Sequence, residues 1–482
     1  MLFNSTHFAI FFPLLLIAYF SLPHRLRWVL LLAASYYFYM CWRPEYALLL
    51  LGSTAVSWAC GHWLGRTQDA QKRKGILLSG VAVLLGTLVY FKYWNFFADQ
   101  LNAVFGLLQI PRALPNHSIL LPVGISFFTF HTLSYLIDVY RGTTLPERHF
   151  GLYALYVSFF PQLVAGPISR APKVLPQFRI PMAFDYDRIK SGLLLMAWGF
   201  FQKVVVADRL AVLVDAVYKN PTSFSGIALA AATVCFAFQV LCDFAGYTDI
   251  AIGTLQIMGF DFPPNFRRPY LAGSLSEFWK RWHISLSSWL SDYVYTPLTI
   301  AYRDWGMAAI VVASLFTFLL SGIWHGAGWT FIIWGVLHGI GLSVEGITRK
   351  ARKRAGKRWP RLFALAGWAV TFAYVCFTQV FFRAASVGDG FYIASHLFVG
   401  GSLNDLLNLG GDKFELLIGC FGIAVVLCVH LIQEYGTPSG SGLRAWLATR
   451  PAWQRWGAYY AGASCIFLLG RFSQHQFIYF MF

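Results

Sequence analysis

The sequence predicts an all-α polytopic integral membrane protein, and three observations carry that prediction. Of 482 residues, 57% are hydrophobic and 12% charged, against roughly 45–50% and about 25% in soluble domains. Apolar runs recur from end to end with the length that a membrane crossing needs, about 20 residues within a range of roughly 17 to 25. Aromatic residues make up 18% of the chain, as expected where Trp and Tyr settle at both membrane interfaces. The formal charge of +17 would suit nucleic acid only as a patch on a soluble face. Here the basic residues sit in short loops between apolar runs, where they orient the spans, so lipid is the implied partner and nucleic acid is not.

Taken in order, the candidate spans lie near 7–22, 26–41, 46–64, 76–97, 119–139, 190–217, 224–242, 307–321, 327–347, 362–382, 414–433 and 456–471. The first is reached by Phe8 without a preceding basic region and is followed by no small-residue cleavage site, so it reads as a retained span and not a signal peptide. The loops His24 to Arg27 and Arg66 to Lys74 are basic and two spans apart, which makes both cytoplasmic and the N-terminus external. The run Arg349 to Arg361 holds eight basic residues and no acid, which fixes that loop on the cytoplasmic side. From it, loop 384–413 is outside, 434–455 inside and the C-terminus outside. The eight cysteines, at 41, 60, 235, 242, 376, 420, 428 and 465, form no C-x-x-C pair and read as small buried hydrophobes, neither disulfides nor a zinc site. No metal site and no bound cofactor is expected.

Two stretches fit no simple span. Tyr153 to Gly166 breaks at Pro161, Gly166 and Pro167, and a full crossing from the cytoplasmic loop 141–149 would put Arg170, Lys173, Arg179, Arg188 and Lys190 outside. A re-entrant hairpin avoids that, and broken helices at membrane depth persist only inside protein or around a cavity. In Leu271 to Leu290, apolar residues at 275, 278, 279, 282, 286, 289 and 290 make one helical stripe, with Ser274 and Glu277 as a capping box. This reads as one interfacial or re-entrant amphipathic helix, with His283 at the stripe's edge.

The stretch Ser321 to Gly339, SGIWHGAGWTFIIWGVLHG, organises the rest, because it places His325 and His338 in apolar sequence. Ionisable groups at membrane depth face a cavity or a partner and mark working sites. Gly322, Gly326 and Gly328 suggest a break between helices at 322–328, with Trp324 and Trp329 packed around it; a tight turn whose His325 bonds a backbone carbonyl is the plainer reading. By the loop 349–361, His325 falls towards the outer side and His338 near mid-span. Asp243 and Asp249, six residues apart, read as structural groups pairing with Arg267, Arg268 or Lys280, with a proton path or cation site as the alternative. Walker, dinucleotide, H-E-x-x-H, G-x-S-x-G and Ca²⁺-loop motifs are absent.

These segments, together with SEFWKRWHISLSSWLSDYVYTPL, CDFAGYTDIAIGTLQIMGFDFPPNFRRPYLAGS, FFPQLVAGPISR, KVVVADRLA, LPVGISFFTFHTLSYLIDVYRG and the terminal FIYF at 477–480, resemble the membrane-bound O-acyltransferase family, nearest its bacterial alginate O-acetyltransferase branch. The likeness departs at Tyr295 to Ile300, where relatives often carry two glycines after Y-I-P-L. The resemblance implies one membrane-embedded domain over 1–482, with peripheral N-terminal helices to about 115, a catalytic core over about 119–384 and C-terminal helices beyond, about 11–13 spans in all. It implies His325 as the catalytic residue, with His338, His283, Trp324 and Asp249 in support. The resemblance implies acetyl-CoA as the donor, bound at residues not identified from sequence. It implies that the acetyl group passes through a membrane tunnel to an extracytoplasmic acyltransferase partner and a cell-surface or exported polysaccharide, in a bacterial inner membrane. Transfer of D-alanine or another acyl group, a transporter or channel, and a structural membrane subunit remain open alternatives.

Overall fold

Backbone polar groups inside a membrane must be satisfied within the protein, and a helix does so within one segment. Every apolar run named above folds as helix in the computed structural model, which describes residues 1–117, 120–407, 409, 413–436, 442–472 and 477. Beyond Phe477, the FIYF segment lies outside the described residues, as does part of loop 384–413. Among the described residues there is no strand, and seven helices are by themselves long and apolar enough to cross a membrane. The chain is a multi-pass membrane protein. It divides into two compact units, residues 1–189 with 254–262 and residues 190–253 with 263–482.

The first unit holds α1 (Thr6–Ser21), α2 (His24–Met40), α3 (Tyr46–Arg66), α4 (Ala70–Leu88), α5 (Trp94–Leu107), α6 (Ile125–Arg141), α7 (Phe150–Ser158), α8 (Phe160–Leu163) and α9 (Ala171–Val174). A π-helical turn, Val89–Tyr93, carries α4 directly into α5. The helix α6 starts later than its apolar run because Gly124 precedes it with φ +78°, and a Cβ there would stand 2.5 Å from the Leu163 carbonyl oxygen. Nine residues in α7 rise only about 13 Å, far short of the ~30 Å hydrocarbon core. The backbone that follows is satisfied within the unit. Phe160 N donates to Ser35 Oγ at 3.1 Å and Gln162 Nε2 to the Tyr156 carbonyl at 2.5 Å. The segment is a short, buried helix broken before Pro161.

The second unit holds most of α10 (Tyr186–Phe200), α11 (Asp208–Lys219), most of α12 (Gly226–Met258), α13 (Leu275–Arg281), α14 (Ile284–Leu290), α15 (Thr296–Ala301), α16 (Met307–His325), α17 (Trp329–Ile347), α18 (Arg349–Arg358), α19 (Pro360–Arg383), α20 (Val387–His396), α21 (Leu403–Leu407), α22 (Lys413–Leu431), α23 (Leu443–Ala448) and α24 (Ala452–Leu469). The core helix α12 runs on for 33 residues, well past the apolar run 224–242, because the carboxylates that end that run find partners described below. The basic run is itself helical, α18.

The pair α16 and α17 forms an antiparallel hairpin packed backbone to backbone. A Cβ on Gly322 would collide with the Phe331 carbonyl oxygen, and one on Gly335 with that of Phe318; one on Gly339 would stand 2.9 Å from Leu315 Cα. Gly335 and Gly339 make the G-x-x-x-G spacing that permits such approach between membrane helices. Gly335→Leu must therefore force the hairpin apart, at a cost of about 1–3 kcal/mol or more. We expect a lower thermal midpoint in detergent for Gly335→Ala and loss of folded yield for Gly335→Leu; a Gly335→Leu protein melting like wild type would show that the contact is dispensable.

Three sequence expectations are corrected here. The stripe 275–290 is two helices, α13 and α14, separated at Trp282 and His283, where His283 takes φ +42°. Its apolar residues Leu275, Phe278, Trp279, Trp282, Leu286, Trp289 and Leu290 are all buried, while Ser276, Lys280 and Ser288 are exposed, so the two helices keep the amphipathic pattern. The Ser274 cap does form, with Ser274 Oγ accepting from Glu277 N at 3.2 Å and Glu277 Oε2 accepting from Gly273 N at 2.8 Å. The helix break begins at Gly326 and not at Gly322, and Trp329 is 52% exposed. Cys41, Cys420 and Cys428 are exposed. Apolar context does not mean burial in a membrane protein, because lipid tails are as apolar as a core.

Candidate active site

His325 is the last residue of α16, 5% exposed, and the chain passes through Gly326 to Gly328 into α17. Its ring lies 4.9 Å from those of Trp324 and Trp334 and 5.3 Å from that of Phe382 on α19, each at a steep angle. Gly326 makes this enclosure possible, since any Cβ there would occupy the Phe331 ring position.

Trp334 also touches His338, at 4.8 Å between ring centres. The tautomer of His338 follows from its partners. Trp279 Nε1 donates to Nδ1 at 3.3 Å, which leaves Nε2 to carry the proton and donate to Thr378 Oγ1 at 3.0 Å, while that hydroxyl donates to the Val375 carbonyl at 2.8 Å. An indole N–H can only donate. With both nitrogens engaged and the ring 1% exposed, His338 braces the wall of the site.

His283 is fully buried and sits in the left-handed turn between α13 and α14, a conformation that non-glycine residues hold only where their surroundings enforce it. Asn265 supplies that enforcement. Its Oδ1 accepts from Ser285 N at 3.1 Å and Ser285 Oγ at 2.9 Å and lies 3.2 Å from His283 Nδ1; its carbonyl takes the Ile284 N–H at 2.9 Å. The His283 ring is 4.7 Å from Phe244 and 6.2 Å from Trp324, so it backs the tryptophan that packs on His325.

Asp243 and Asp249 do not pair with Arg267, Arg268 or Lys280. Asp243 accepts from Lys203 Nζ at 2.6 Å, the same ammonium lies 2.9 Å from Asp208, and Asp249 accepts from Gln202 Nε2 at 2.8 Å. Arg268 and Arg281 instead meet Glu434, at 2.5 and 3.0 Å. The close approach of α10 and α12 decides this: a Cβ on Gly199 would sit 2.6 Å from the Gly246 carbonyl oxygen. Asp249 thus belongs to a buried polar brace and not to the ring of residues around His325. Sequence reading missed Lys203, Asn265, Trp279, Trp334 and Thr378 as members of these groups. Lys203, at the head of the apolar run in KVVVADRLA, carried the one usable signal, since a buried charge demands a counter-charge.

A cavity of about 590 Å³ in this unit is lined by Lys280, Arg349 and Arg352, the last paired with Glu345 at 3.2 Å, and by Trp279, Thr317 and Phe318. The α16 residues Ile310, Ser314 and Thr317 line it, and Ser321 and His325 continue the same helix face at steps of four. Both Thr317 and Ser321 are buried with hydroxyls that have no hydrogen-bond partner among the described residues, whereas Ser343 and Thr348 bond the carbonyl one turn back, at 2.7 and 2.6 Å. A polar strip therefore runs along α16 from a basic mouth to the imidazole. Such an arrangement can take an elongated anion-headed ligand and remove a proton at its inner end.

The profile of the membrane-bound O-acyltransferase family matches residues 148–387. Over 460 residues the chain is 39% identical to a probable alginate O-acetylase AlgI of Pseudomonas syringae pv. tomato, covering 93% of this chain and 83% of that protein. It is 34% identical over 458 residues to the peptidoglycan O-acetyltransferase of Helicobacter pylori, covering 86% of this chain and 83% of the relative. With the teichoic acid D-alanyltransferase of Bacillus subtilis it shares 27% identity over 301 residues, 58% of this chain and 70% of the relative. With a helical multi-pass fold and these relatives along most of its length, the chain belongs to the membrane-bound O-acyltransferase family, in its alginate O-acetyltransferase-like branch, and is an O-acyltransferase.

Proposed function

We propose that the protein takes an acetyl group from acetyl-CoA on the cytoplasmic side of a bacterial inner membrane and delivers it to a hydroxyl on the outer side, for O-acetylation of a cell-surface or exported polysaccharide. The names of the alginate and peptidoglycan relatives support the acetyl group and the polysaccharide. The observation that carries the reading is the single buried face of α16, with the basic-mouthed cavity at one end and His325 at the other. Lys280, Arg349 and Arg352 suit the phosphates of the donor, the apolar neck suits its arm, and Thr317 and Ser321 offer hydroxyls to its amides.

In the transfer, His325 accepts the proton of the incoming hydroxyl as its oxygen bonds to the thioester carbon. The carbon–sulfur bond then breaks, and the departing thiolate takes the proton back from the imidazolium. The enclosure by Trp324, Trp334 and Phe382 keeps out water that would hydrolyse the thioester. His338 and His283 hold that enclosure in place through Trp334 and Trp324.

The test is purified protein in detergent with radiolabelled acetyl-CoA, with a D-alanyl thioester in parallel because of the D-alanyltransferase likeness. Label should pass from acetyl-CoA to water or a hydroxyl acceptor, and Arg349→Glu with Arg352→Glu should raise the donor KM at least about tenfold, the loss of one to two charge-assisted contacts. Transfer from the D-alanyl donor alone would overturn the acetyl assignment, and transport without any acyl transfer would overturn the enzyme reading.

A further inference from the structure

Resting on the acyl-transfer reading above, we infer that the indole N–H of Trp334 is the donor that holds the carbonyl oxygen of the acyl group while it is transferred. Nothing in the sequence singles this residue out from the other tryptophans. Three observations in the structure do.

The first is position. The Trp334 ring stands between the two histidines, 4.9 Å from His325 and 4.8 Å from His338, and 5.9 Å from Trp279, which lines the inner end of the cavity. It thus lies between a residue that lines the cavity and the candidate base. The second is an unmet bond. Trp334 is 2% exposed, and its N–H has no acceptor among the described residues. Two other indoles of the same unit have acceptors: Trp279 donates to His338 at 3.3 Å and Trp368 to the Tyr270 carbonyl at 2.9 Å. An indole N–H donates and cannot accept, so what completes it must present an acceptor atom. The hydroxyls of Thr317 and Ser321 can turn to serve either role; Trp334 cannot. The third is rigidity. Its neighbour Gly335 lies in backbone contact with α16 at Phe318, so the α17 backbone that carries the indole cannot withdraw.

The chemistry at that place supplies the acceptor. As the hydroxyl oxygen bonds to the thioester carbon, the carbonyl π electrons move onto its oxygen. They return when the carbon–sulfur bond breaks and the thiolate leaves. A fixed donor in a dry site stabilises the charged stage more than the neutral carbonyl. His325 handles the proton, and Trp334 handles the oxygen.

The test replaces Trp334 with 3-benzothienylalanine, in which sulfur stands for the N–H in a ring of the same shape, and separately with Phe. Single-turnover transfer from acetyl-CoA, the donor KM and the thermal midpoint are measured for each. Loss of one such donor typically costs about 10²–10³-fold in rate. We expect that loss in kcat for the benzothienyl protein, with a KM within about threefold and a midpoint unchanged. A benzothienyl protein within about threefold of wild-type kcat would overturn the inference and leave Trp334 a packing residue. A change confined to KM would overturn it too, since a donor that matters only in the ground state is a binding contact. Wild type inactive with every thioester offered would defeat the acyl-transfer reading itself, and this inference with it.

Discussion

His325→Ala and His325→Gln proteins are expected to insert, fold and bind the donor like wild type and to transfer no acyl group. Loss of a positioned general base removes about 10²–10⁴-fold in rate. The imidazole is enclosed by three aromatic rings at the end of α16, so truncating it leaves the hairpin contacts at Gly322 and Gly335 untouched. The contrast with His338 sharpens the result. Both nitrogens of His338 are bonded, to Trp279 and Thr378, so His338→Ala should keep partial transfer and lose stability instead. The measurement is initial rate with labelled acetyl-CoA, on protein shown by size exclusion and thermal melting to be folded. A His325→Ala protein that keeps more than about half its activity would remove it as the base. Complete loss in folded His338→Ala would point to a proton relay through both rings.

The second large effect is expected from reconstitution. A polysaccharide is long and polar, and holding one takes an extended groove of hydrogen-bonding groups and stacking aromatics. The longest segment that the charge pattern places outside, residues 384–413, has thirty residues, fewer than the 50 or more that a domain typically needs. Its described part consists of the short helices α20 and α21. The sequence holds no G-x-S-x-G elbow to carry an acyl group at the surface. Purified protein with acetyl-CoA and polymer should therefore yield little ester, and adding an extracytoplasmic acyltransferase partner should raise the yield by orders of magnitude. Efficient acetylation of polymer by this chain alone would end the relay proposal.

Much of this protein could be read locally. The apolar runs became helices because a membrane leaves the backbone no other partner along a single segment. The capping box at Ser274 and Glu277 formed because it needs only residues three and four apart. The hairpin of His325 and His338 was legible because glycines and histidines stand out in apolar sequence. Where tertiary contacts intervened, the local pattern gave a different answer. The stripe 275–290 is periodic enough for one helix, yet Asn265, eighteen residues before His283, bends it into two. Asp243 was legible as a charge that needs a partner, but that partner is Lys203, forty residues away.

By itself, then, the sequence determined the membrane class, the places of the helices and the histidine that ends α16, because these follow from hydrophobicity and turn chemistry within a few residues of chain. Only the tertiary structure decided what surrounds that histidine. The bond between Thr378 and His338 links residues forty apart, and that between Trp279 and His338 residues fifty-nine apart. Periodicity reports which face of a helix is apolar, and in a membrane both lipid and protein satisfy that face equally. Which of them does, and which polar atom a neighbouring helix brings, is fixed by backbone approach at positions such as Gly199, Gly322 and Gly335, where a single Cβ would hold the helices apart.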